Sequence, residues 1–296
     1  MFTAQNYIKP KSLEEAYALL QKRGNRVVGG MQWMKMSSAA CAAVIDLSEL
    51  GLSGIKDTGG AFSIGCMTTL RELEQNPAMS AFSQGAVKEA LRGIVGVQFR
   101  NLATIGGTVA GRYGFSDVLT ILSVMDTQVE LFKAGPVPLA SYLASAPDRD
   151  IVVRLIIEKN PATFTYLSVR RTRTDLPSLT CASCVTQGSG ALLRIAVGAR
   201  PGAAKCIELP LNEERSSELY HGKTEQLEED AVCFARKEIA LSGNLRGSAQ
   251  YREHLLEVLV RRSIRQQLAK LTETATDHEN RAVRERTQEV CMSRSM

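Results

Sequence analysis

The sequence contains the stretch Arg100-Asn101-Leu102-Ala103-Thr104-Ile105-Gly106-Gly107-Thr108, which Ser116-Asp117 follow. A hydroxyl residue before paired glycines suits a loop whose backbone N–H groups approach a phosphate, because glycine has no Cβ to hold a ligand away. A second glycine pair occurs in Val27-Val28-Gly29-Gly30-Met31, after a short apolar strand. Two such loops are able to hold a ligand with two phosphates from two sides.

Composition and charge are those of an ordinary globular protein. Of the 296 residues, 44% are hydrophobic and 23% are charged, and the formal net charge of +5 is spread along the sequence. Aromatic residues make up only 5%, which disfavours nucleic-acid binding. No apolar run reaches the roughly 18 residues that span a membrane, and the amino terminus lacks a signal-peptide pattern, so we expect a cytoplasmic protein. The seven cysteines are irregularly spaced and are expected to be free thiols.

The hydrophobic pattern changes along the chain and predicts two lobes. In the first lobe short strands alternate with helices, and Ser12 and Glu15 form a capping-box pattern at the first helix. Residues 136–150 contain three prolines and are the predicted connection between the lobes. Residues 151–271 read as successive strands and then two helices, whereas the polar, mixed-charge residues 272–296 are expected to be frayed or disordered.

Two common nucleotide-binding motifs do not fit the glycine-rich stretch. Gly106 and Gly111 have the spacing of a P-loop, but Arg112 and Tyr113 stand where that motif needs Lys and then Ser or Thr. Neither glycine pair has the Gly-x-Gly-x-x-Gly spacing that opens the helix of a Rossmann domain.

Two interpretations of the glycine pairs stay open from the residues alone. Isolated glycine pairs are usually simple turns. Phosphate binding is favoured by the hydroxyls of Thr104 and Thr108 and by Asp117, a carboxylate near a predicted helix start.

Several segments together resemble the flavin subunits of the molybdenum hydroxylases, a family that includes those of bacterial xanthine dehydrogenases and carbon monoxide dehydrogenases. The stretch 100–107 with Ser116-Asp117 is similar to the second FAD motif of that family, and Val28-Gly29-Gly30 stands where the family has its first FAD loop. Further similar segments occur in the family's order at 44–47, 64–65, 68–73 and 245–252. The similarity extends over roughly residues 1–271.

The resemblance implies an α+β fold with a bipartite FAD-binding domain of the vanillyl-alcohol-oxidase (PCMH) type. This domain would span residues 1–150, with two α/β subdomains at about 1–50 and 51–150. A C-terminal domain like that of carbon monoxide dehydrogenase flavoproteins, with a small antiparallel sheet and helices, would span 151–271.

The resemblance also implies which residues bind FAD. Backbone groups of the two loops would hold the pyrophosphate, Asp117 would hold a hydroxyl of the cofactor, and the basic loop after a strand of the second lobe would border the flavin ring. The cofactor-binding residues predicted in this way are Val28, Gly29, Gly30, Met31, Thr104, Ile105, Gly106, Gly107, Thr108, Ser116, Asp117, Tyr166 and Arg170, with Arg171 as a further candidate.

The chain departs from the family's pattern beside both glycine pairs. Met31-Gln32 stand where Thr-Asp is common, and Thr108 stands where Asn is usual. Backbone contacts survive such changes, whereas side-chain contacts depend on the residue type. Trp33, the only tryptophan, is expected to pack in the core rather than to stack on a flavin.

Neither a catalytic residue nor a metal site is predicted in this chain. Cys181 and Cys184 form a Cys-x-x-Cys, but residues three apart on a strand point to opposite faces and do not share a metal. The redox chemistry would belong to the cofactor.

The implied function is that of an electron-transfer subunit of a xanthine dehydrogenase-like enzyme. A molybdenum-cofactor subunit would oxidise a purine or another heterocycle, and a 2Fe–2S subunit would pass the electrons to FAD in this chain. The acceptor would be NAD or another molecule. Two alternatives are a flavin-free subunit that keeps the fold to assemble a complex, and a stand-alone flavin reductase.

Overall fold

The described residues form three β-sheets. The structure, a computed structural model, describes residues 1–186, 190–211 and 225–293, and for 272–293 it describes the course of the helix only. The first sheet consists of β1 (Thr3–Ile8), β2 (Asn25–Val28) and β3 (Ala40–Asp46), all parallel, with β3 in the middle. Helix α1 (Leu13–Gln21) follows β1, and a short 3₁₀ helix (Met34–Met36) precedes β3.

The predicted start of α1 is confirmed. The Ser12 hydroxyl accepts a hydrogen bond from the N–H of Glu15 at 3.2 Å, which satisfies one of the free donors at the helix start. Ala16 and Leu20 are buried on the face that turns to the sheet.

The second sheet has five strands, all antiparallel. They are β4 (Ile55–Asp57), β5 (Ala61–Gly65), β6 (Thr127–Leu131), β7 (Gly135–Pro138) and β8 (Val152–Glu158), in the spatial order β4-β5-β8-β6-β7. The helices of this part are α2 (Leu70–Gln75), α3 (Pro77–Phe82), α4 (Ala86–Arg92), α5 (Val97–Arg100), α6 (Ile105–Gly111), α7 (Asp117–Leu122) and α8 (Leu139–Ala144).

The second sheet includes residues on both sides of the boundary that we expected at residue 150. Strand β8 pairs with β5 and with β6, because its apolar residues belong to the core of this sheet. The predicted connection at 136–150 is also structured, since it contains part of β7 and all of α8. Pro136 and Pro138 lie in β7, an edge strand, where the missing backbone N–H costs no hydrogen bond within the sheet.

The third sheet is antiparallel and carries the last two helices. Its strands are β9 (Ala162–Val169), β10 (Leu179–Thr186), β11 (Leu192–Gly198) and β12 (Lys205–Pro210), in the order β12-β11-β10-β9. Helices α9 (Glu225–Glu238) and α10 (Ala249–Ser293) follow. Residues 272–293 continue α10, where we expected a frayed or disordered tail, and 294–296 lie outside the described residues.

Alternate residues of β10 point into two different cores. Cys184 lies in the core that the third sheet shares with the second sheet and its helices, whereas Cys181 lies in the core under α9 and α10. The alternation along a strand therefore separates the two thiols, as the sequence predicted. One face of the third sheet thus packs against α4 and α7, and this junction positions the site described below.

Candidate functional site

The two glycine loops touch each other. A Cβ built on Gly29 would lie 2.2 Å from the Oγ1 of Thr104, and a Cβ on Gly30 would lie 1.7 Å from the carbonyl oxygen of Leu102. Real atoms do not approach so closely, so the loops pack together only because both positions are glycine. We expected the missing Cβ atoms of these glycines to leave space for a ligand. At Gly29 and Gly30 that space is occupied by the facing loop.

The backbone N–H groups at the start of α6 are bonded within the protein. Thr104 caps this helix, and its Oγ1 accepts a hydrogen bond from the N–H of Gly107 at 3.2 Å. The N–H groups of Ile105 and Gly106 donate to carbonyl oxygens in the segment 66–68, at 2.9 and 2.8 Å. These N–H groups of the second loop therefore already have acceptors.

The first glycine loop has free backbone donors. Within the part of the chain that the structure describes, the N–H groups of Gly30, Met31 and Gln32 meet no protein acceptor. Met31 has a φ of 55°, the left-handed conformation in which successive N–H groups converge on an anion. Side-chain hydrogen bonds stabilise the loop. The Gln32 side-chain amide donates to the carbonyl oxygen of Gly30 at 2.7 Å and accepts from the Lys35 ammonium at 3.1 Å.

A small cavity of about 30 Å³ opens beside the two loops, far below the roughly 300–1,000 Å³ that small-molecule sites occupy. We call it the aromatic pocket, because four aromatic rings form much of its wall. Its lining residues are Trp33, Leu70, Ile94, Val95, Phe99, Thr108, Tyr113, Phe115, Ser116, Asp117, Val118, Arg170, Asp175 and Leu176.

The aromatic rings contact one another. The Trp33 ring lies 5.1 Å from the Phe99 ring and 5.2 Å from the Phe115 ring, and the Tyr113 ring stacks on Phe115 at 5.2 Å. Trp33 is only partly buried and lines the pocket. We expected Trp33 to pack in the core. It does contact other rings, but it lies at the wall of the pocket.

Asp117 is the acidic centre of the polar wall. Its Oδ1 accepts hydrogen bonds from the Tyr166 hydroxyl and from the Nη2 of Arg170. The Nη1 of Arg170 donates to the carbonyl oxygen of Asp175 at 2.7 Å. Burial raises the pKa of Asp117 above its usual range, although Arg170 and Tyr166 oppose that shift, and burial raises the pKa of Tyr166 well above 10.0.

The structure brings some of the predicted residues together at the pocket and leaves others outside it. Those lining it are Thr108, Ser116, Asp117 and Arg170. Val28 is buried with Cys41 and Val44 in a separate small cluster, and Tyr166 lies behind Asp117 and is 4% exposed. Arg171 is exposed and does not line the pocket.

Sequence reasoning missed most of the apolar wall. Tyr113 and Phe115 lie between the glycine pair and Ser116, and this aromatic pair was the only feature of the sequence that could have indicated an apolar wall. Phe99, Ile94 and Leu176 come from other segments and reach the pocket only through the fold. Among the described residues, no group of three or more His, Cys, Asp or Glu side chains is placed to hold a metal ion. No helix in the described ranges is both long and apolar enough to cross a membrane.

Comparison with known proteins identifies the family. The chain is 26% identical over 260 residues to YgfM, described as an uncharacterized protein of Escherichia coli K12, covering 86% of this chain and 93% of that protein. It is 26% identical over 280 residues to the carbon monoxide dehydrogenase medium chain of Afipia carboxidovorans OM5, covering 88% and 95%.

The fold is also that of a solved enzyme structure. The cyanide-inactivated form of a Cu,Mo-CO dehydrogenase superposes with a TM-score of 0.75 at 23% identity, covering 90% of this chain and 98% of that chain. At that identity the likeness shows the fold. The family described as the FAD binding domain in molybdopterin dehydrogenase matches residues 2–159, and the chain belongs to that family of oxidoreductase components.

Proposed function

We propose that this chain is the FAD-carrying medium subunit of a molybdenum hydroxylase complex in the cytoplasm. In that complex a 2Fe–2S subunit would receive electrons from a molybdenum-cofactor subunit and deliver them to this chain, which would pass them to NAD or another acceptor. The carbon monoxide dehydrogenase relative is a medium chain, and this chain spans 95% of its length. The observation that carries the proposal is the meeting of the two glycine loops at the edge of the aromatic pocket.

The free donors of the first loop fit a pyrophosphate. Consecutive N–H groups at Gly30, Met31 and Gln32 offer hydrogen bonds without requiring a side chain, so the change from Thr-Asp to Met31-Gln32 leaves them in place. Val28 and Gly29 lead the chain into this loop. In the proposal, the second loop, Thr104 to Thr108, supports the first loop and closes the other side of the site.

The polar and apolar walls of the pocket match a flat heterocyclic ring in their chemistry, and the packed aromatic rings would have to move apart to admit one, because the cavity measures about 30 Å³. Rings such as Trp33 and Phe115 supply stacking and edge contacts, while Ser116 and Asp117 supply hydrogen-bonding groups. Arg170 places a positive charge at the wall, with its guanidinium held by Asp117, and this charge stabilises negative charge on a ring in the pocket.

When bound, FAD supplies the electron-accepting and electron-releasing chemistry. The residues of this chain hold and orient the cofactor and set the charge around it. The proposal therefore requires no acid, base or nucleophile from the protein.

The visible absorption spectrum of the chain, purified with the subunits that accompany it, tests the proposal. We expect flavin absorbance together with iron–sulfur absorbance. When FAD is added to the isolated chain, we expect the absorbance of protein-bound flavin to increase. A complex that contains iron–sulfur absorbance but takes up no FAD would contradict it.

That last result would favour a second function, a flavin-free subunit that assembles the complex. A specific observation supports this alternative, since the rings of Trp33, Tyr113 and Phe115 pack against one another within the pocket that the flavin would enter. The departures at Met31, Gln32 and Thr108 point the same way.

A further inference from the structure

A second concavity, which we call the arginine groove, shares Arg170 with the aromatic pocket. It has a volume of about 340 Å³ and lies between the loop after β9 and the turn that begins α10. Its polar lining consists of Arg170, Arg171, Ser178, Arg246, Ser248 and Tyr251. Arg170 lines both concavities, so the groove directly adjoins the aromatic pocket.

The charge of the groove is one-sided. Three guanidinium groups line it, and no Asp or Glu of the described chain does so. Two of the guanidinium groups pair with carboxylates that do not line the groove, since Arg170 donates to Asp117 and the Nη2 of Arg246 donates to Asp175 at 3.1 Å. The Nε of Arg246 is buried and has no hydrogen-bond partner in the described part of the chain. Arg171 makes only a long contact of 3.4 Å, to the carbonyl oxygen of Leu245.

The groove is built before any ligand enters. The fully buried Arg252 ties its rim together, since its guanidinium donates to the carbonyl oxygens of Ser178 at 2.9 Å and Ser242 at 2.8 Å and to the Asn244 side chain at 2.7 Å. The Ser248 hydroxyl accepts from the N–H of Tyr251 at 3.1 Å and caps α10. The positive end of the α10 dipole therefore lies at the rim.

We propose that the arginine groove binds a phosphate group. Guanidinium groups present paired N–H donors that match phosphate oxygens, and Arg171 and Arg246 each have donors to spare. A phosphate would supply an acceptor near the unpartnered Nε of Arg246 and would balance the charge of Arg171, since Arg170 and Arg246 already pair with Asp117 and Asp175. Tyr251, 43% exposed, stands where a ring attached to the phosphate would meet it. The proposal does not depend on FAD, because every residue it uses lies outside the glycine loops.

Calorimetric titration of the full chain with inorganic phosphate at constant ionic strength tests the site. The double variant Arg171→Gln with Arg246→Gln removes two of the guanidinium groups. Arg173→Gln is the matched control, since Arg173 belongs to the same basic loop but is exposed and does not line the groove. We expect saturable binding that weakens by roughly tenfold or more for each guanidinium lost, the factor of one charge-assisted hydrogen bond. The control variant is expected to bind like the parent.

Absence of saturable binding, or equal weakening in Arg173→Gln, would overturn the proposal, because the effect would then be general charge attraction. Arg171 is exposed, so the Arg171→Gln single variant is expected to fold even if the double variant does not. The melting temperature in phosphate-free buffer shows whether each variant is folded. Titration of ADP into FAD-saturated protein distinguishes the sources of the phosphate. If ADP binds about tenfold more tightly than phosphate, and loses this gain in Tyr251→Leu, the ligand of the groove is a nucleotide. If the two affinities are equal, the ligand is the free anion. A chain that binds phosphate but not FAD would refute the proposed function and leave this site standing.

Discussion

The Nη2 of Arg170 donates to the Oδ1 of Asp117, and the two side chains are only 9% and 5% exposed. The pair joins the loop after β9 to the first turn of α7, and so ties the third sheet to the helices of the second. Tyr166 donates to the same carboxylate oxygen. The side chain at the centre of the proposed flavin site is thus also part of the junction that holds the fold together.

Asp117→Asn is expected to lower the free energy of unfolding by about 3–5 kcal/mol, because it leaves the Arg170 charge buried without a partner. Urea unfolding of Asp117→Asn, Arg170→Gln and the double variant measures this. The double variant is expected to lose less than the sum of the two single losses. Glu89→Gln is the control, since the Glu89–Arg92 pair is largely exposed and its loss is worth less than about 1 kcal/mol. Additive losses would show that the buried pair is not coupled.

Gly30→Ala is expected to abolish FAD uptake and to lower the free energy of unfolding by about 1–3 kcal/mol, since the new Cβ collides with the backbone of Leu102 and forces the loops apart. Gly60→Ala is the matched control, because a Cβ there meets no atom within 4 Å. Flavin absorbance after gel filtration and thermal unfolding give the two readouts. Normal FAD uptake by Gly30→Ala would show that the contact between the loops is not needed for the site.

Local signals predicted much of the fold. The cap of α1 at Ser12 and the alternation along β10 depend on residues close in sequence, and the structure has both. The stretch 104–108 was predicted as a loop, whereas the structure begins a helix there, α6, with Thr104 as its cap. The place of β8 was not predictable in this way. Its apolar residues suit any buried strand, and only pairing with β5 and β6, distant in sequence, assigns it to the second sheet.

The site, like the fold, was predicted only where its residues lie close together in sequence. Thr108, Ser116 and Asp117 lie in one short stretch, so a motif was able to mark them. The packing contact of the glycines was not predicted, because the close approach of Gly30 to Leu102 is a contact between separate segments. The unpaired donors of the first loop likewise become visible only when the hydrogen bonds of the neighbouring backbone are known.

The buried Glu74 predicts a dependence of stability on pH. Burial alone raises the pKa of Glu74, but hydrogen bonds from Arg71 and Arg100, at 2.9 and 2.8 Å, outweigh it and hold the pKa below 4.5. Since the folded pKa lies below the unfolded one, this stabilisation is present above pH 4.5 and is lost as the pH falls through the folded pKa.

We therefore expect Glu74→Gln to be less stable than the parent by about 3–5 kcal/mol at neutral pH, and the difference to shrink below pH 4.5. Urea unfolding of both proteins from pH 7 to pH 3 measures the difference. A difference that stays constant over this range would contradict the lowered pKa.

Thiol reactivity is expected to follow burial. Cys233 is exposed, whereas burial raises the pKa of four other thiols to about 12 and suppresses their thiolate form. Those four are Cys66, Cys181, Cys184 and Cys206. In a Cys291→Ser background at pH 8, we expect an aromatic disulfide reagent to modify Cys233 rapidly and the others only after unfolding. Rapid modification of Cys181 or Cys184, identified by peptide mass, would contradict the placement of β10 between two cores.

Trp33 offers a direct test of where FAD binds. It is the only tryptophan of the chain and lines the aromatic pocket, so all of the indole emission reports on this wall. A flavin ring in the pocket would lie within contact distance of the indole and is expected to quench most of its fluorescence. Titration of FAD into the flavin-free chain measures the quenching, with ADP as the control ligand that lacks the flavin ring. Gly30→Ala, which should not retain FAD, is expected to keep its emission. Stoichiometric FAD uptake by absorbance with unchanged Trp33 emission would place the flavin elsewhere, because an indole beside a bound flavin does not escape quenching.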